Sequence, residues 1–345
     1  MFYLTYRPKT VSELDTATVR DTLTNLLKSP KLPHALLFVG QKGMGKTSTA
    51  RIFAKAVNCL NNSFAGKGDS TEPCNTCDNC TSIDAGHSPD VAEMDAASNR
   101  GIEEVRNLIK DASFSPMVCR YRVFIVDEAH MITTDAFNAL LKTLEEPPEK
   151  VIFILATTNE EKVPKTIASR TFRVNFGKAH LVDIESMLKR VLKSEKRELP
   201  DEMLHFIAAS SDHSFRDATK MLEETLIQGL DSLEKLEAHF GMRSHTSFLK
   251  VLEEKDVKKA LQWIHQFHEA GGNGKLLLED ILKTLQEVLM EKSGVKTEVP
   301  IESTLKIKEI SQLMKLFTEA YSLLKVSPID TIPLEIAVVE FYNSQ

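Results

Sequence analysis

The stretch Ala35-Leu-Leu-Phe-Val-Gly40-Gln-Lys-Gly43-Met-Gly45-Lys46-Thr47-Ser48 decides the fold. Its first part is a short apolar run of strand length. Its second part has the spacing G-x-x-x-x-G-K-[ST] and continues into a helix-like segment from Ser48 to Val57. A buried strand that turns through glycines into a helix gathers backbone N–H groups and the positive helix end around one point. Phosphate is the anion that fits there. Gly40, Gly43 and Gly45 let the backbone curl, Lys46 brings a point charge to the β- and γ-phosphates, and Thr47 offers its hydroxyl to Mg²⁺. Ser48, the next residue of the helix start, completes the candidate nucleotide-binding set of the loop. The alternative is an ordinary glycine turn before a helix, which the complete spacing in its strand and helix context disfavours.

Working outward, four more apolar runs read as buried strands: Val91–Met94, Arg122–Val126, Val151–Leu155 and Phe172–Phe176. Helix-like segments at Thr47–Val57, Ile102–Ile109 and Asp135–Leu144 alternate with them, which predicts an α/β domain with a parallel sheet covered on both faces. The Arg122–Val126 run ends in Asp127-Glu128-Ala129-His130, at the carboxyl edge of the sheet, where open parallel sheets place their ligands. Asp127 suits a hydrated Mg²⁺, and Glu128 suits the water that attacks the γ-phosphate. His130 reads as a capping or packing residue. Asp135–Glu146 reads as an amphipathic core helix with Phe137, Leu140, Leu141 and Leu144 on one side, stopped by Pro147-Pro148. After about Gly177 the strand runs cease. Met203, Leu204, Ile207, Ala208, Met221 and Leu222 then recur at helical spacing, predicting a small helical lid that ends near Phe240. Further on, Leu277, Leu278, Ile281, Leu282, Leu285 and Leu289, punctuated by Gly271, Gly272 and Gly274, predict a wholly helical third domain.

A chain of 345 residues with 42% hydrophobic content is long enough for two or three globular domains. No uninterrupted apolar run is long enough to span a bilayer, and the first twenty residues lack the apolar core of an export signal, so a cytoplasmic protein is expected. The net charge of -6 argues against a surface coated in positive charge for DNA, while leaving room for a local basic surface. Four of the five cysteines, Cys59, Cys74, Cys77 and Cys80, follow the pattern C-x₁₄-C-x₂-C-x₂-C. That spacing predicts a structural tetrahedral Zn²⁺ site in a module over about 59–80, rather than disulfides or reactive thiols. Cys119 stands apart as an unpaired cysteine near a strand start.

Asp127-Glu-Ala-His-Met, Phe137-Asn-Ala-Leu-Leu-Lys-Thr-Leu-Glu-Glu-Pro-Pro148 and Ala156-Thr-Thr together resemble the AAA+ clamp-loader subunits, and within them the bacterial DNA polymerase III gamma/tau family. The likeness runs from Tyr6-Arg-Pro through Asp95-Ala-Ala-Ser98, Ser169-Arg170 and Ser214-Phe-Arg216-Asp217, over roughly residues 1–241, and is weak over 242–345. It implies an AAA+ P-loop domain with a zinc insertion over 1–177, a helical lid over 178–241 and a helical collar for oligomerisation over 242–345. It also implies that Thr158 is a first sensor near the γ-phosphate and Arg216 a second sensor reaching from the lid. Arg170 would be an arginine finger for a neighbouring subunit's ATP. Two positions depart from the family pattern: Thr171 stands where a cysteine is usual, and Asp15-Thr-Ala17 where a Val-Gly-Gln segment lies near the adenine.

The function so implied is an ATP-hydrolysing motor of a clamp loader, a component of a DNA polymerase holoenzyme without a polymerase site of its own. The implied partners are delta and delta-prime type subunits, further copies of the chain, the beta sliding clamp and primer-template DNA, with no membrane. Arg100 and Lys142 are candidates for backbone contact with DNA, each also readable as a solvated surface charge. The sequence ends at Gln345, short of the long tail with which tau forms bind polymerase and helicase, so the expected partners are those of the loader core. A non-catalytic stator-like subunit is the rival reading, opposed by the intact Lys46, Thr47, Asp127 and Glu128. A different AAA+ machine is another, opposed by the cysteine module.

Overall fold

The computed structural model describes residues 1–99, 101–240, 245–269, 273–295 and 303–343. Arg100, Gly271, Gly272 and the predicted lid–collar junction at 241/242 lie outside them. The chain divides into two compact units, Met1–Gly229 and Leu230–Gln345. The Leu233–His239 helix lies in the second of these units.

In the first unit the strands β1 (Ala35–Gly40), β2 (Val91–Asp95), β3 (Arg122–Asp127), β4 (Val151–Thr157) and β5 (Phe172–Gly177) form one sheet in the order β2-β3-β4-β1-β5. Every pairing is parallel. The register sets Val39 beside Thr157 and Asp95 beside Asp127, so the carboxyl ends of the strands share one edge. Alternation along the strands fills both faces. Ala35, Leu37, Phe124, Val126, Phe153 and Leu155 share a core with Val105 and Leu108 of the Ile102–Ala112 helix and Phe137 and Leu140 of the Thr134–Glu145 helix. Leu36, Phe38, Val123, Ile125, Ile152 and Ile154 are buried on the other face, and the Lys46–Asn58 helix packs against β1, β3 and β4. The apolar runs at β1, β3 and β4 are buried as expected from continuous hydrophobicity. The reading of β2 and β5 as buried strands is corrected. They lie at the two ends of the sheet with mostly half-buried or exposed residues, and Glu93 of β2 is paired with Arg51 of the Lys46–Asn58 helix.

The helices Leu181–Glu195, Asp201–Ser210 and Phe215–Ile227 follow the sheet, with Met203, Leu204, Ile207, Ala208 and Leu222 buried and Met221 half-buried. In the second unit, helices that include Val257–Glu269, Gly274–Lys292, Ile307–Leu323 and Ile332–Asn343 enclose a core around Leu278, Ile281, Leu285, Phe317 and Phe341. Trp263 stacks there on Phe248 with ring centroids 4.6 Å apart. Among the described residues no helix is long and apolar enough to cross a membrane.

Candidate functional site

The loop between β1 and the Lys46–Asn58 helix turns through two left-handed glycines, Gly43 at φ +81° and Gly45 at φ +84°, a conformation that costs a side-chain-bearing residue about 1–2 kcal/mol. Lys46, 6% exposed, donates from Nζ to the carbonyls of Gly40 and Gln41 at 2.8 Å each, so the ammonium folds back over its own loop. Burial lowers its pKa, against the opposing fields of Glu128 and Asp127. Gln41 Oε1 and Thr49 Oγ1 are buried without a partner, so this segment carries unmet hydrogen-bonding capacity of the kind a polar ligand satisfies.

Parallel register brings the acidic pair to the same edge. Thr47 donates from Oγ1 to Asp127 Oδ2 at 2.6 Å, so two hard oxygen donors converge, a pair that fits a divalent cation such as Mg²⁺. Asp127 Oδ1 accepts the amide of Glu128 at 2.9 Å, and Glu128 sits in the left-handed region at φ +47°. Its carboxylate Oε2 accepts from Thr158 Oγ1 at 3.2 Å and lies 3.4 Å from His130 Nδ1. His130 Nδ1 is also 3.2 Å from Thr157 Oγ1, which donates to the Asn159 carbonyl. His130 thus does more than cap or pack: it faces the Glu128 carboxylate two residues before it, while the pairing of β3 with β4 brings Thr157 and Thr158 to the same place.

Arg216 starts the Phe215–Ile227 helix directly beside the loop, its Cβ 3.5 Å from the space a Cβ on Gly43 would take. Its guanidinium lies 4.9 Å from the centre of the Tyr3 ring. Arg170 instead pairs with Glu145 at 2.7 Å and donates to the Thr166 carbonyl at 2.7 Å. Neither partner belongs to the phosphate loop. Lys142 is exposed on the Thr134–Glu145 helix.

A cleft opens beside the loop, walled by Leu14, Asp15 and Thr16 of the N-terminal segment, by Met44 and Gly45, and by Phe176 and Phe215. Asp15 is held by Arg190 of the Leu181–Glu195 helix through contacts of 2.7 and 3.0 Å. Burial nevertheless raises its pKa, with Arg190 opposing. The sequence singles out Asp15 as a departure, but carries no sign of the arginine that meets it.

The four clustered cysteines form a separate centre. The Sγ atoms of Cys59, Cys74, Cys77 and Cys80 all lie within 4.8 Å of one another, and none is in a disulfide. Cys59 Sγ accepts the amides of Asn61 and Cys74 at 3.4 and 3.3 Å, and Cys74 Sγ accepts the amide of Cys77 at 3.3 Å. Such N–H contacts favour thiolate. Burial opposes ionisation of Cys74, but the Thr76 hydroxyl and the amides of Thr76 and Cys77 outweigh it and hold this thiol at about 5. Burial pushes Cys59 and Cys80 up. Four convergent sulfurs with amide support fit a tetrahedral thiophilic ion such as Zn²⁺. Cys119, just ahead of β3, is free, its sulfur 3.9 Å from Ser88 Oγ.

Comparison with known proteins agrees with this architecture. A family model described as "DNA polymerase III, delta subunit" matches residues 16–180. The chain is 37% identical over 322 residues to DNA polymerase III subunit tau of Bacillus subtilis, covering 90% of this chain and 56% of that protein. It is 35% identical to DNA polymerase III subunit gamma of Buchnera aphidicola, covering 79% of this chain and 74% of that one. With subunit tau of Escherichia coli it shares 33% identity over 83% of this chain and 44% of the relative. The chain therefore spans about half the length of these tau relatives. Among solved structures, the RuvB Holliday junction branch migration motor of Thermotoga maritima superposes with a TM-score of 0.50 at 16% identity, covering 85% of this chain and 86% of that one, a likeness of fold.

Proposed function

Because the chain belongs to the DNA polymerase III gamma/tau family, we propose that it is the ATP-hydrolysing motor subunit of a bacterial clamp loader. The observation that carries the proposal is the meeting, at one sheet edge, of Lys46, Thr47, Asp127, Glu128 and Thr158 from separate elements. In this reading Gly40, Gly43, Gly45 and Ser48 shape the loop that holds the triphosphate, and Lys46 neutralises its charge. Thr47 and Asp127 would hold Mg²⁺, which neutralises charge between the β- and γ-phosphates when bound. Glu128 is the group that orients or deprotonates the attacking water, and Thr158 fixes its carboxylate. Arg216 approaches the nucleotide from the lid.

Arg170 serves the neighbouring subunit in this scheme, which fits its position on partners remote from the chain's own loop. ATP binding would stabilise a form that opens the beta sliding clamp. Primer-template DNA would then trigger hydrolysis and release the clamp closed on DNA. The partners are delta and delta-prime type subunits and further copies of the chain, joined through a collar over 242–345. The segments 1–177 and 178–241 supply the motor and its lid. Cys59, Cys74, Cys77 and Cys80 would hold a structural Zn²⁺, and the chain would act as a cytoplasmic component of the polymerase holoenzyme with no polymerase site.

The test is steady-state ATP hydrolysis by the reconstituted loader, with and without clamp and primed DNA, for wild type, Lys46→Ala and Arg170→Ala. Joint stimulation by clamp and DNA, lost in both variants, is expected. Activity unmoved by clamp and primed DNA would point to another AAA+ machine, and activity unmoved by Lys46→Ala to a stator-like subunit.

A further inference from the structure

We propose that Glu72, on the cysteine-bearing insertion, is a positioning residue for the base side of the nucleotide site; this rests on the reading that the loop binds a nucleotide. The Glu72 carboxylate accepts two consecutive backbone amides of the N-terminal segment, Val11 at 2.7 Å and Ser12 at 2.9 Å. Such charge-assisted contacts are roughly twice as strong as neutral ones and fix both the height and the direction of the chain they hold.

Glu72 is itself firmly mounted. The buried Asn62 side chain, 1% exposed, donates to the carbonyls of Glu72 and Thr71 at 3.3 Å each, and to Ala56 at 2.7 Å. Ala56 belongs to the Lys46–Asn58 helix that begins at the phosphate loop. Ser70 Oγ accepts the Glu72 amide at 3.2 Å. The carboxylate is therefore referenced to the same helix whose first turn faces the phosphates.

The segment it holds is a wall of the cleft beside the loop. Val11 is 2% exposed, its carbonyl accepts the Leu14 amide at 3.1 Å, and Leu14 in turn offers its carbonyl to Arg20 at 3.0 Å. Leu14, Asp15 and Thr16 then face Met44 and Gly45 across the cleft. With Asp15 occupied by Arg190, the remaining wall is largely apolar and suits the flat face of a purine. Glu72 touches neither the cleft nor the loop. It sets the spacing of one wall, so its loss acts on base contacts and spares the phosphate grip.

Titration calorimetry on the whole chain with Mg²⁺ distinguishes these contributions, using ATP and inorganic tripolyphosphate as the two ligands. Glu72→Ala is expected to weaken ATP by at least about fivefold, in the range typical of coupled sites, with tripolyphosphate changed by less than about twofold. Glu72→Gln, which keeps one acceptor oxygen, should fall between wild type and Glu72→Ala and serves alone if the alanine variant does not fold. Equal weakening of both ligands, or no weakening of ATP, would overturn the role of Glu72. Lys46→Ala is the separate control: if it leaves both ligands bound as in wild type, the nucleotide reading itself fails, whatever Glu72 does.

Discussion

Gly43→Ala puts the junction between the phosphate loop and the lid to a quantitative test. Gly43 has φ +81°, which costs alanine about 1–2 kcal/mol in backbone strain. A Cβ there would also stand 1.9 Å from Ser214 Oγ, which must move. That hydroxyl caps the Phe215–Ile227 helix by accepting the Asp217 amide at 3.1 Å, and losing such a cap costs about 0.5–2 kcal/mol. The sum is a destabilisation of about 1.5–4 kcal/mol. Gly45→Ala is the matched control, since Gly45 has φ +84° but nothing within 4 Å of the added carbon, so only the strain of about 1–2 kcal/mol remains. Scanning calorimetry is the suitable assay, because the chain's one tryptophan, Trp263, lies in the second unit and its fluorescence reports there. Ser214→Gly, itself costing a few tenths of a kcal/mol at a cap, should remove most of the difference between the two alanine variants in a double-mutant cycle. Equal destabilisation by Gly43→Ala and Gly45→Ala would refute the claim that the lid helix packs against this loop.

Thr158→Val removes the hydroxyl that donates to Glu128; we expect single-turnover hydrolysis by the assembled loader to fall about tenfold to a hundredfold with ATP affinity retained, and Glu128→Gln to fall about 10²–10⁴-fold. Unchanged hydrolysis in Glu128→Gln would remove Glu128 from the chemistry. Cys80→Ser should abolish stoichiometric zinc by elemental analysis and lower the first unit's calorimetric transition; a variant that retains both would argue against a four-cysteine metal site. Asp90 accepts the amides of Met117, Val118 and Cys119 at 2.7–2.8 Å. Burial opposes its ionisation, but these amides outweigh it and hold the carboxyl below its ordinary range. A depressed folded pKa contributes stability that is present above the unfolded value of about 3.9 and is lost as pH falls through the folded one. Asp90→Asn should therefore cost about 1–3 kcal/mol at pH 7. The gap from wild type should shrink below about pH 4; a constant gap in urea denaturation across that range would contradict the sign.

What was legible in the sequence follows from how local each signal is. The β1, β3 and β4 runs are apolar throughout because both faces of these inner strands are covered, and their bounds in the structure differ from the expected ones by a residue or two. The edge positions of β2 and β5 were not legible, since a run that includes Glu93 or Arg173 still reads as a strand while its neighbours are set by crossovers elsewhere. Lys46, Thr47 and Asp127 belong to short motifs, and their convergence needed only a parallel sheet. The contacts of Glu72 with Val11 and of Arg190 with Asp15 join positions 61 and 175 residues apart, and nothing in the local pattern of either partner announces the other.

The partners of the two groups assigned to hydrolysis suggest how binding and turnover are kept apart. Lys46 donates to carbonyls of its own loop, contacts that phosphate oxygens can replace under the proposed assignment. Glu128, by contrast, has its carboxylate engaged by Thr158 and faced by His130, and Arg170 is engaged by Glu145. The Arg170 pair is surface-exposed and weak, so a neighbouring subunit offering a triphosphate could displace it at little cost. In the proposed role the Thr158 contact keeps the Glu128 carboxylate placed for the attacking water, so what the isolated chain lacks is the Arg170 of a neighbouring subunit. Under the proposed assignment the chain binds ATP readily on its own and hydrolyses it slowly, and assembly changes the second property far more than the first. Comparing nucleotide affinity and single-turnover rate for the isolated chain and the reconstituted loader measures this directly. A rate that is already high in the isolated chain would mean that a neighbour's Arg170 is not required for the chemistry.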